Sequence, residues 1–207
     1  ANATSALAVW PASVTSAAVY RREIGPLRAW FLLGVVSLIG GLAGALLLVK
    51  TSDTSFMRLR PWLMLVASAT FTFGGRLRAR MAPVGSPAAR VPWWALALQL
   101  AIATYGGYFG GGIGIMMLAA MAVAGLSDIH QMNGLKSALA VAINGVATAE
   151  FVRRGAVVWM PGLVMVAGAV AGGYAGAAIA RRMGAGSVRL FVIVVAWSMT
   201  AYFFVRP

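Results

Sequence analysis

The sequence predicts an all-α membrane protein that crosses the bilayer several times. Of its 207 residues, 61% are hydrophobic and only 10% are charged, whereas soluble domains are about half apolar and about a quarter charged. The mean hydropathy is +0.86. Because a membrane-spanning helix needs roughly 20 apolar residues, the length holds about seven or eight helices and no extramembrane domain.

The charge balance is strongly basic, with 17 Lys and Arg against four Asp and Glu and a net charge of +13. The basic residues occur in short clusters between apolar runs, which positive-inside orientation and lipid headgroups explain. We therefore predict a lipid bilayer as surroundings and no nucleic-acid partner. The chain has no cysteine, which excludes disulfides, thiolate metal sites and a thiol nucleophile, and we predict no metal and no cofactor.

The first two apolar segments are separated by the basic pair Arg21 and Arg22. Ala1 to Tyr20 contains Pro11 near its middle, which predicts a kinked or broken helix. Leu27 to Lys50 is the cleanest span, because Ala29 to Leu48 carries no charge and covers about 30 Å as a helix.

A third segment leads into a basic linker. The segment runs from Pro61 to Gly75 and is short unless residues 56–60 join it; we assign Arg58 and Arg60 to the connection that precedes it. Residues 76–90 hold four arginines, two prolines and one glycine, a composition typical of a linker.

Five further apolar segments follow the linker, the first two of them separated by the glycine-rich run Gly106 to Gly114. Together with the first three they make eight segments, two of them short. The five are Val91 to Tyr108, Ile115 to Leu126, Met132 to Phe151, Val157 to Ala180 and Val188 to Val205.

Two blocks of the sequence repeat at a spacing of 132 residues. Ser5 to Val9 is identical to Ser137 to Val141, and Gly40 to Ala45 differs from Gly172 to Ala177 only at its third position. On the eight-segment count the first helix and its counterpart lie five segments apart, so the copies have opposite orientations. We therefore predict an inverted repeat with glycine-broken helices.

The repeat divides the chain into two parts. We predict that residues 1–85 are the C-terminal part of the first transmembrane repeat, that 76–90 is the basic linker and that 91–207 is the second repeat. About 42 residues precede Asn133 in the second copy, whereas the equivalent position of the first copy is Ala1. We expect the chain to be incomplete at its N-terminus.

The glycine run is a candidate anion site. Gly110, Gly111 and Gly112 lie where two short apolar helices meet. Such a break frees backbone N–H groups and exposes the positive end of the second helix, where an oxyanion can bind. The alternative is that these glycines only permit a tight turn or close helix packing. No Gly-Lys-Ser/Thr follows them, so the run is not a phosphate loop.

Lys136 is the strongest single candidate for a substrate-binding residue. It lies about 10 Å along its helix from Ile129. An ammonium inside a helix bundle is costly and suggests a counter-ion for a bound substrate. The alternative is a lysine that reaches back to the membrane edge. Its counterpart in the repeat is Thr4, which keeps a donor but lacks the charge.

Polar side chains form a stripe on the same helix. Asn133, Ser137 and, less closely, Asn144 share one helical face beside Lys136. The stripe either hydrogen-bonds an anion or holds helices together. The matching stripe on the first helix is Asn2, Thr4 and Ser5.

Other small and charged residues receive structural interpretations. The GxxxG pairs Gly40/Gly44, Gly168/Gly172 and Gly172/Gly176 indicate helix packing. We interpret Asp128, His130 and Glu150 as solvated loop residues, with a proton-coupling role as the alternative.

Several of these features together resemble the sulfite exporter TauE/SafE family, over essentially the whole chain. They are Asn-Ala-Thr-Ser at Asn2 to Ser5, the Gly-Gly-x-Ala-Gly blocks, the Tyr105 to Gly114 run followed by Met116-Met117, and Asn-Gly-Leu-Lys at Asn133 to Lys136. The resemblance implies a bacterial inner-membrane transporter that exports small anions such as sulfite or organosulfonates, driven by the proton gradient. Substrate would bind between the two repeats, with alternating access by their relative motion.

Two other classes of function remain as alternatives. One is a membrane scaffold subunit or channel that does not transport by alternating access. The other is an intramembrane enzyme, against which the sequence argues, because it has one histidine, no HExxH and no Gly-x-Ser-x-Gly. We therefore predict that the protein is not an enzyme.

Overall fold

The computed structural model describes residues 2–22, 27–80, 92–124, 126, 128–182 and 185–205. Within these ranges the regular structure consists of eight α-helices and no strand, as the composition predicts. The helices are α1 (Asn2–Val19), α2 (Leu27–Lys50), α3 (Asp53–Arg80), α4 (Trp93–Tyr108), α5 (Ile113–Val123), α6 (Ile129–Arg153), α7 (Trp159–Arg182) and α8 (Ala185–Val205).

The helix bounds differ from the sequence predictions at the two prolines. Helix α1 continues through Pro11 and is not broken there. Helix α3 begins at Asp53, passes through Pro61 and ends at Arg80, so it includes residues 56–60 and the first five positions of the predicted linker. Residues 81–90, the rest of that linker, lie outside the described residues.

The apolar helices suit a membrane. In the described part of the chain, Trp30–Lys50 and His130–Arg153 are long and apolar enough to span a bilayer, and shorter apolar stretches occupy Ile113–Val123, Trp159–Gly172 and Leu190–Val205. Hydroxyl side chains are satisfied within their own helices by donating to the carbonyl four residues earlier, as in membrane helices. These are Ser13, Thr15, Thr51, Thr70, Thr72, Thr104 and Thr200.

Helices α2 and α4 pack closely and run in the same direction. Gln99 donates a 2.8 Å hydrogen bond to Ser37 at one end. At the other end a Cβ on Gly44 would fall on the backbone of Thr104 and within 2.7 Å of the Tyr108 nitrogen. The GxxxG prediction is confirmed for Gly40 and Gly44, because only glycine lets the two backbones approach this closely. It is wrong for Gly168 and Gly172, where a Cβ would meet nothing within 4 Å.

The glycine run reverses the chain. Helix α4 runs antiparallel to α3, since Tyr108 stacks near Phe56 while the Tyr105 hydroxyl donates to the Leu63 carbonyl. Helix α5 runs along α3 in its own direction, since Gly112 lies against Ala67 and Ile115 against Gly74. The two short helices are therefore a hairpin inside the bundle and not one interrupted crossing.

Two further helix pairs cross in antiparallel fashion. In α1 and α6, Ser16 lies 3.0 Å from Ser137, and farther along Asn144 donates to Ser13 at 3.0 Å. In α3 and α8, hydrogen bonds join Ser68 to Thr200 at 2.9 Å and Trp197 to Thr72 at 3.0 Å, and the rings of Trp62 and Phe204 meet edge to face.

The buried residues form two apolar clusters. The larger lies among α2, α4, α5 and α6 and includes Met117, Leu135 and Ile143. The smaller one, which we call the septum cluster, consists of Ala45, Ala147, Phe151 and Val157, with Ala3, Ala6, Leu7, Leu48, Val49 and Ala156 packed against it. It fills the space where the ends of α2 and α6 meet the start of α1.

Candidate functional site

A cavity of about 170 Å³ lies between α1, α6 and the glycine hairpin. This inner cavity is far larger than the roughly 10–15 Å³ that one water needs on the same measure. It brings together Ser5, Gly110, Gly111 and Asn144, four of the residues proposed from the sequence. The complete lining is Ser5, Ala6, Val9, Gly106, Gly107, Phe109, Gly110, Gly111, Asn144, Ala147 and Phe151.

The hairpin reverses direction at the cavity through glycines in the left-handed conformation. The Gly110 amide donates to the Tyr105 carbonyl at 3.4 Å. Gly110 and Gly112 have φ of 82° and 79°, a conformation that side chains disfavour. Gly112 is the N-cap of α5, and the amides of Ile115 and Met116 are those that bond back to its carbonyl, at 3.1 and 3.3 Å. The earlier amides of the turn belong to the donors that a helix N-terminus leaves without an intrahelical partner.

The cavity lies along the length of α2 and not at its end. A Cβ on the lining residue Gly107 would fall on the carbonyl of Gly41 in α2. Gly41 lies nine positions before Lys50, where α2 ends, so the two residues are about 13 Å apart along the helix. Irregular backbone at this depth occurs where protein buries it or where it lines a cavity. The observed hairpin meets both conditions.

Asn144 is the most constrained polar side chain of the lining. It is buried, and its Nδ2 donates a 3.0 Å hydrogen bond to Ser13 Oγ across the α1–α6 crossing. This bond leaves the carboxamide with a second N–H and its oxygen. Asn144 therefore has both a fixed orientation and hydrogen-bonding capacity to offer a solute.

Three predicted site residues make other contacts. Buried Thr4 accepts a 3.2 Å hydrogen bond from the Val158 amide and so caps the start of α7. Buried Ser137 pairs with Ser16. Gly112 lies against Ala67. These residues are not among those that line the inner cavity, and the side chain of Asn2 lies outside the described residues.

Lys136 lies beside the hairpin but outside the cavity lining. Its ammonium donates a 3.0 Å hydrogen bond to Asn133 Oδ1, and its Cδ is 3.3 Å from the position of a Cβ on Gly114 in the first turn of α5. The lysine is partly buried. Its charge therefore adds to the positive end of α5, three residues beyond Gly111.

The structure places the loop acids differently from the sequence interpretation. Glu150 lies in α6 and is 7% exposed, and its carboxylate accepts hydrogen bonds of 2.7 Å from Arg153 and from Arg154. It is not a solvated loop residue, because two guanidinium groups cover its oxygens. Asp128 caps α6 by accepting from the His130 amide at 2.9 Å.

The apolar lining residues of the cavity carry no signal in the sequence. Phe109 and Phe151, with Ala6 and Val9, form much of the wall. Aromatic and aliphatic residues fill most of this chain, so composition and spacing do not distinguish a cavity wall from lipid-facing surface. A cavity with a few polar side chains among apolar helices is the arrangement of a helical membrane protein with a candidate internal site.

Comparison with known proteins identifies the family. Residues 1–203 match the sulfite exporter TauE/SafE family, and the chain belongs to this family of membrane transporters. It is similar to a probable membrane transporter protein of Haemophilus influenzae, with 26% identity over 192 residues that cover 90% of this chain and 72% of the relative. No solved structure matches the chain.

Proposed function

We propose that this protein is a multi-pass secondary transporter that exports a small oxyanion, such as sulfite or an organosulfonate, across the bacterial inner membrane. The observation that carries the proposal is the inner cavity, which combines the glycines of the hairpin with Ser5 and Asn144 and contains no carboxylate in its lining. Backbone amides and carboxamides replace the water around an anion without the cost of a buried counter-charge.

The electrostatics of the hairpin favour a negative solute. The N-terminus of α5 carries the positive end of the helix dipole, and Lys136 lies against the same turn. An ammonium next to a positive helix end is unfavourable in a low dielectric unless an anion lies nearby. We therefore propose that the positive charge of Lys136 stabilises the bound anion electrostatically, by adding to the positive potential at the hairpin.

The two copies of the internal repeat are the units that we propose to move relative to each other during transport. Helices α2 and α7 begin 132 residues apart, as do α3 and α8. Ser68 and Thr200 are also 132 residues apart, so they are equivalent in the repeat, and they form a hydrogen bond. Contacts between equivalent residues are expected where a two-fold axis relates two copies. Equivalent helices cross antiparallel, which supports an inverted repeat, with residues 1–85 and 91–207 as its two parts.

Alternating access follows from this arrangement. Helices α1 and α6 are equivalent in the repeat, and each lines the inner cavity. Rocking of one repeat against the other changes the contact between these two helices and exposes the cavity to one side or the other. We propose the proton gradient as the driving force, on the family resemblance.

Counterflow tests the function. We expect proteoliposomes preloaded with unlabelled sulfite to accumulate external radiolabelled sulfite transiently, because a transporter exchanges its solute across the membrane. Vesicles preloaded with gluconate instead are the control and should show no accumulation. Absence of exchange with sulfite and with every small sulfonate tried would identify a scaffold, and steady uptake that does not depend on preloading would identify a channel.

The Lys136→Gln variant tests the role of the lysine. We expect it to lose about 10–100-fold of sulfite counterflow, because an interaction with a charged group contributes about 1.5–3 kcal/mol. Membrane insertion should be unchanged, as measured by the yield of monodisperse protein. Lys136→Arg, which keeps the charge, should retain more flux than Lys136→Gln, and equal flux in the wild type and Lys136→Gln would remove Lys136 from the site.

A further inference from the structure

A second and larger cavity lies at the end of the bundle where α2 passes into α3. It has a volume of about 520 Å³ and polar as well as apolar walls. We call it the outer cavity. Its lining is Ala3, Leu48, Val49, Thr51, Asp53, Phe56, Met57, Arg60 and Ala156.

Arg60 is the cation of the outer cavity. Its guanidinium lies 4.0 Å from the centre of the Phe203 ring in α8, a stacking that fixes the plane of the group and leaves its N–H edges free. The buried Nε has no hydrogen-bond partner. In the described part of the chain both ion pairs belong to Glu150 and none to Arg60.

An arginine held in this way is prepared for an oxyanion. Burial of an unpaired guanidinium nitrogen is costly, and its fork of donors matches the oxygens of sulfite, sulfonate or phosphate. Asp53 also lines the cavity, seven positions earlier in α3 and exposed, about 10 Å along the helix. The carboxylate therefore lies toward the solvent end and opposes anion entry.

The two cavities border the same septum cluster. Ala6, Ala147 and Phe151 line the inner cavity. The outer cavity is lined by Ala3, Leu48, Val49 and Ala156, which pack against the same cluster. The packed side chains of this cluster, among them fully buried Phe151, are therefore shared by the walls of both cavities.

We infer that the outer cavity is a vestibule that binds an oxyanion on Arg60 before the anion passes the septum cluster to the inner cavity. The inference rests on the proposed function, since it assumes that the inner cavity receives the anion. The bound group has one chemistry, an oxyanion, with two sources: the transported solute or the headgroup of an anionic lipid.

Kinetics of counterflow test the vestibule. We expect Arg60→Gln to raise the sulfite concentration for half-maximal counterflow about tenfold or more, with a maximal rate within about twofold of the wild type, because the residue captures the anion and does not hold it in the inner cavity. Asp53→Asn should change the half-saturation in the opposite direction. Arg58→Gln is the matched control, since exposed Arg58 loses the same charge two positions away and outside the cavity lining.

Membrane composition separates the two sources. If the solute is the ligand, the difference between the wild type and Arg60→Gln is the same in phosphatidylcholine vesicles with and without phosphatidylglycerol. If a lipid headgroup is the ligand, the difference appears only when phosphatidylglycerol is present. Both results support an oxyanion site at Arg60, and the second rejects its role in capturing the transported solute.

Two outcomes overturn the vestibule. One is an unchanged half-saturation in Arg60→Gln and Asp53→Asn while the wild type transports normally; the other is an equal increase in Arg58→Gln, which would indicate surface charge alone. If Arg60→Gln does not fold, Arg60→Lys, which keeps the charge but loses the planar fork, should give an intermediate half-saturation. A wild type without counterflow is a different result, because it rejects the proposed function itself.

Discussion

Asn144→Asp is expected to abolish anion transport. The substitution keeps the shape of the side chain but removes the N–H that donates to Ser13 and places a carboxylate in the lining of the inner cavity. Two like charges 4 Å apart repel by about 4 kcal/mol at an effective dielectric constant of 20, which corresponds to a loss of roughly a thousandfold. Initial rates of sulfite counterflow in proteoliposomes measure the effect.

Asn144→Leu is the matched neutral variant. It removes the hydrogen bonds without adding charge, so we expect a smaller loss of about 10–100-fold. The order wild type, Asn144→Leu, Asn144→Asp is the signature of an anion site. Equal rates in the two variants would mean that Asn144 has only a structural role, and a wild-type rate in Asn144→Asp would place the anion elsewhere.

Gly44→Leu is expected to prevent correct folding of the 207-residue chain. A side chain at this position meets the backbone of α4 at Thr104 and Tyr108, and backbone does not move aside as a flexible side chain does. The cost should reach or exceed the upper end of the ~1–3 kcal/mol typical of overpacking, because α2 and α4 must separate. The yield of monodisperse protein and its melting temperature in detergent measure it.

Gly172→Leu is the internal control, because the repeat relates position 172 to position 40 of the same packing motif. A Cβ on Gly40 would lie 2.6 Å from the Ala103 Cβ, whereas a Cβ on Gly172 would meet nothing within 4 Å. We expect Gly172→Leu to change stability by no more than about 0.5 kcal/mol and Gly40→Leu to behave like Gly44→Leu. Equal damage at positions 44 and 172 would contradict the packing described for α2 and α4.

The sequence predicts the helices well because their signal is local. Apolar length alone places α2 at its observed bounds, Leu27–Lys50. The prolines mislead, because Pro11 and Pro61 lie inside continuous helices. A membrane helix tolerates proline where groups from neighbouring helices satisfy the freed backbone carbonyl. The residues next to the proline in the sequence do not show which helices will pack there.

The candidate site is predictable in part. Ser5, Gly110, Gly111 and Asn144 meet at one cavity, since a glycine break and a polar residue inside an apolar helix are both visible in the sequence. Thr4 and Ser137 have the same character but are occupied by a helix cap and a helix contact. Whether a hydroxyl faces a cavity or a neighbouring helix depends on rotation about the helix axis.

The outer cavity could not be predicted. Arg60 belongs to a basic cluster that the sequence assigns to a connection, but α3 begins at Asp53 and carries the arginine into the bundle. Its distinguishing contact is with Phe203, a residue more than 140 positions away. Long-range contacts of this kind follow from the packing of α3 against α8 and leave no local pattern.

Crystals soaked with selenite test the central claim most directly. Selenite has the charge and shape of sulfite, and its selenium can be located by anomalous scattering. We expect a peak in the inner cavity, within hydrogen-bonding distance of Asn144 and the amides of Gly110 or Gly111. Selenite that competes with sulfite in counterflow but leaves this cavity empty, with its peak at another place in the protein, would contradict the assignment of the site.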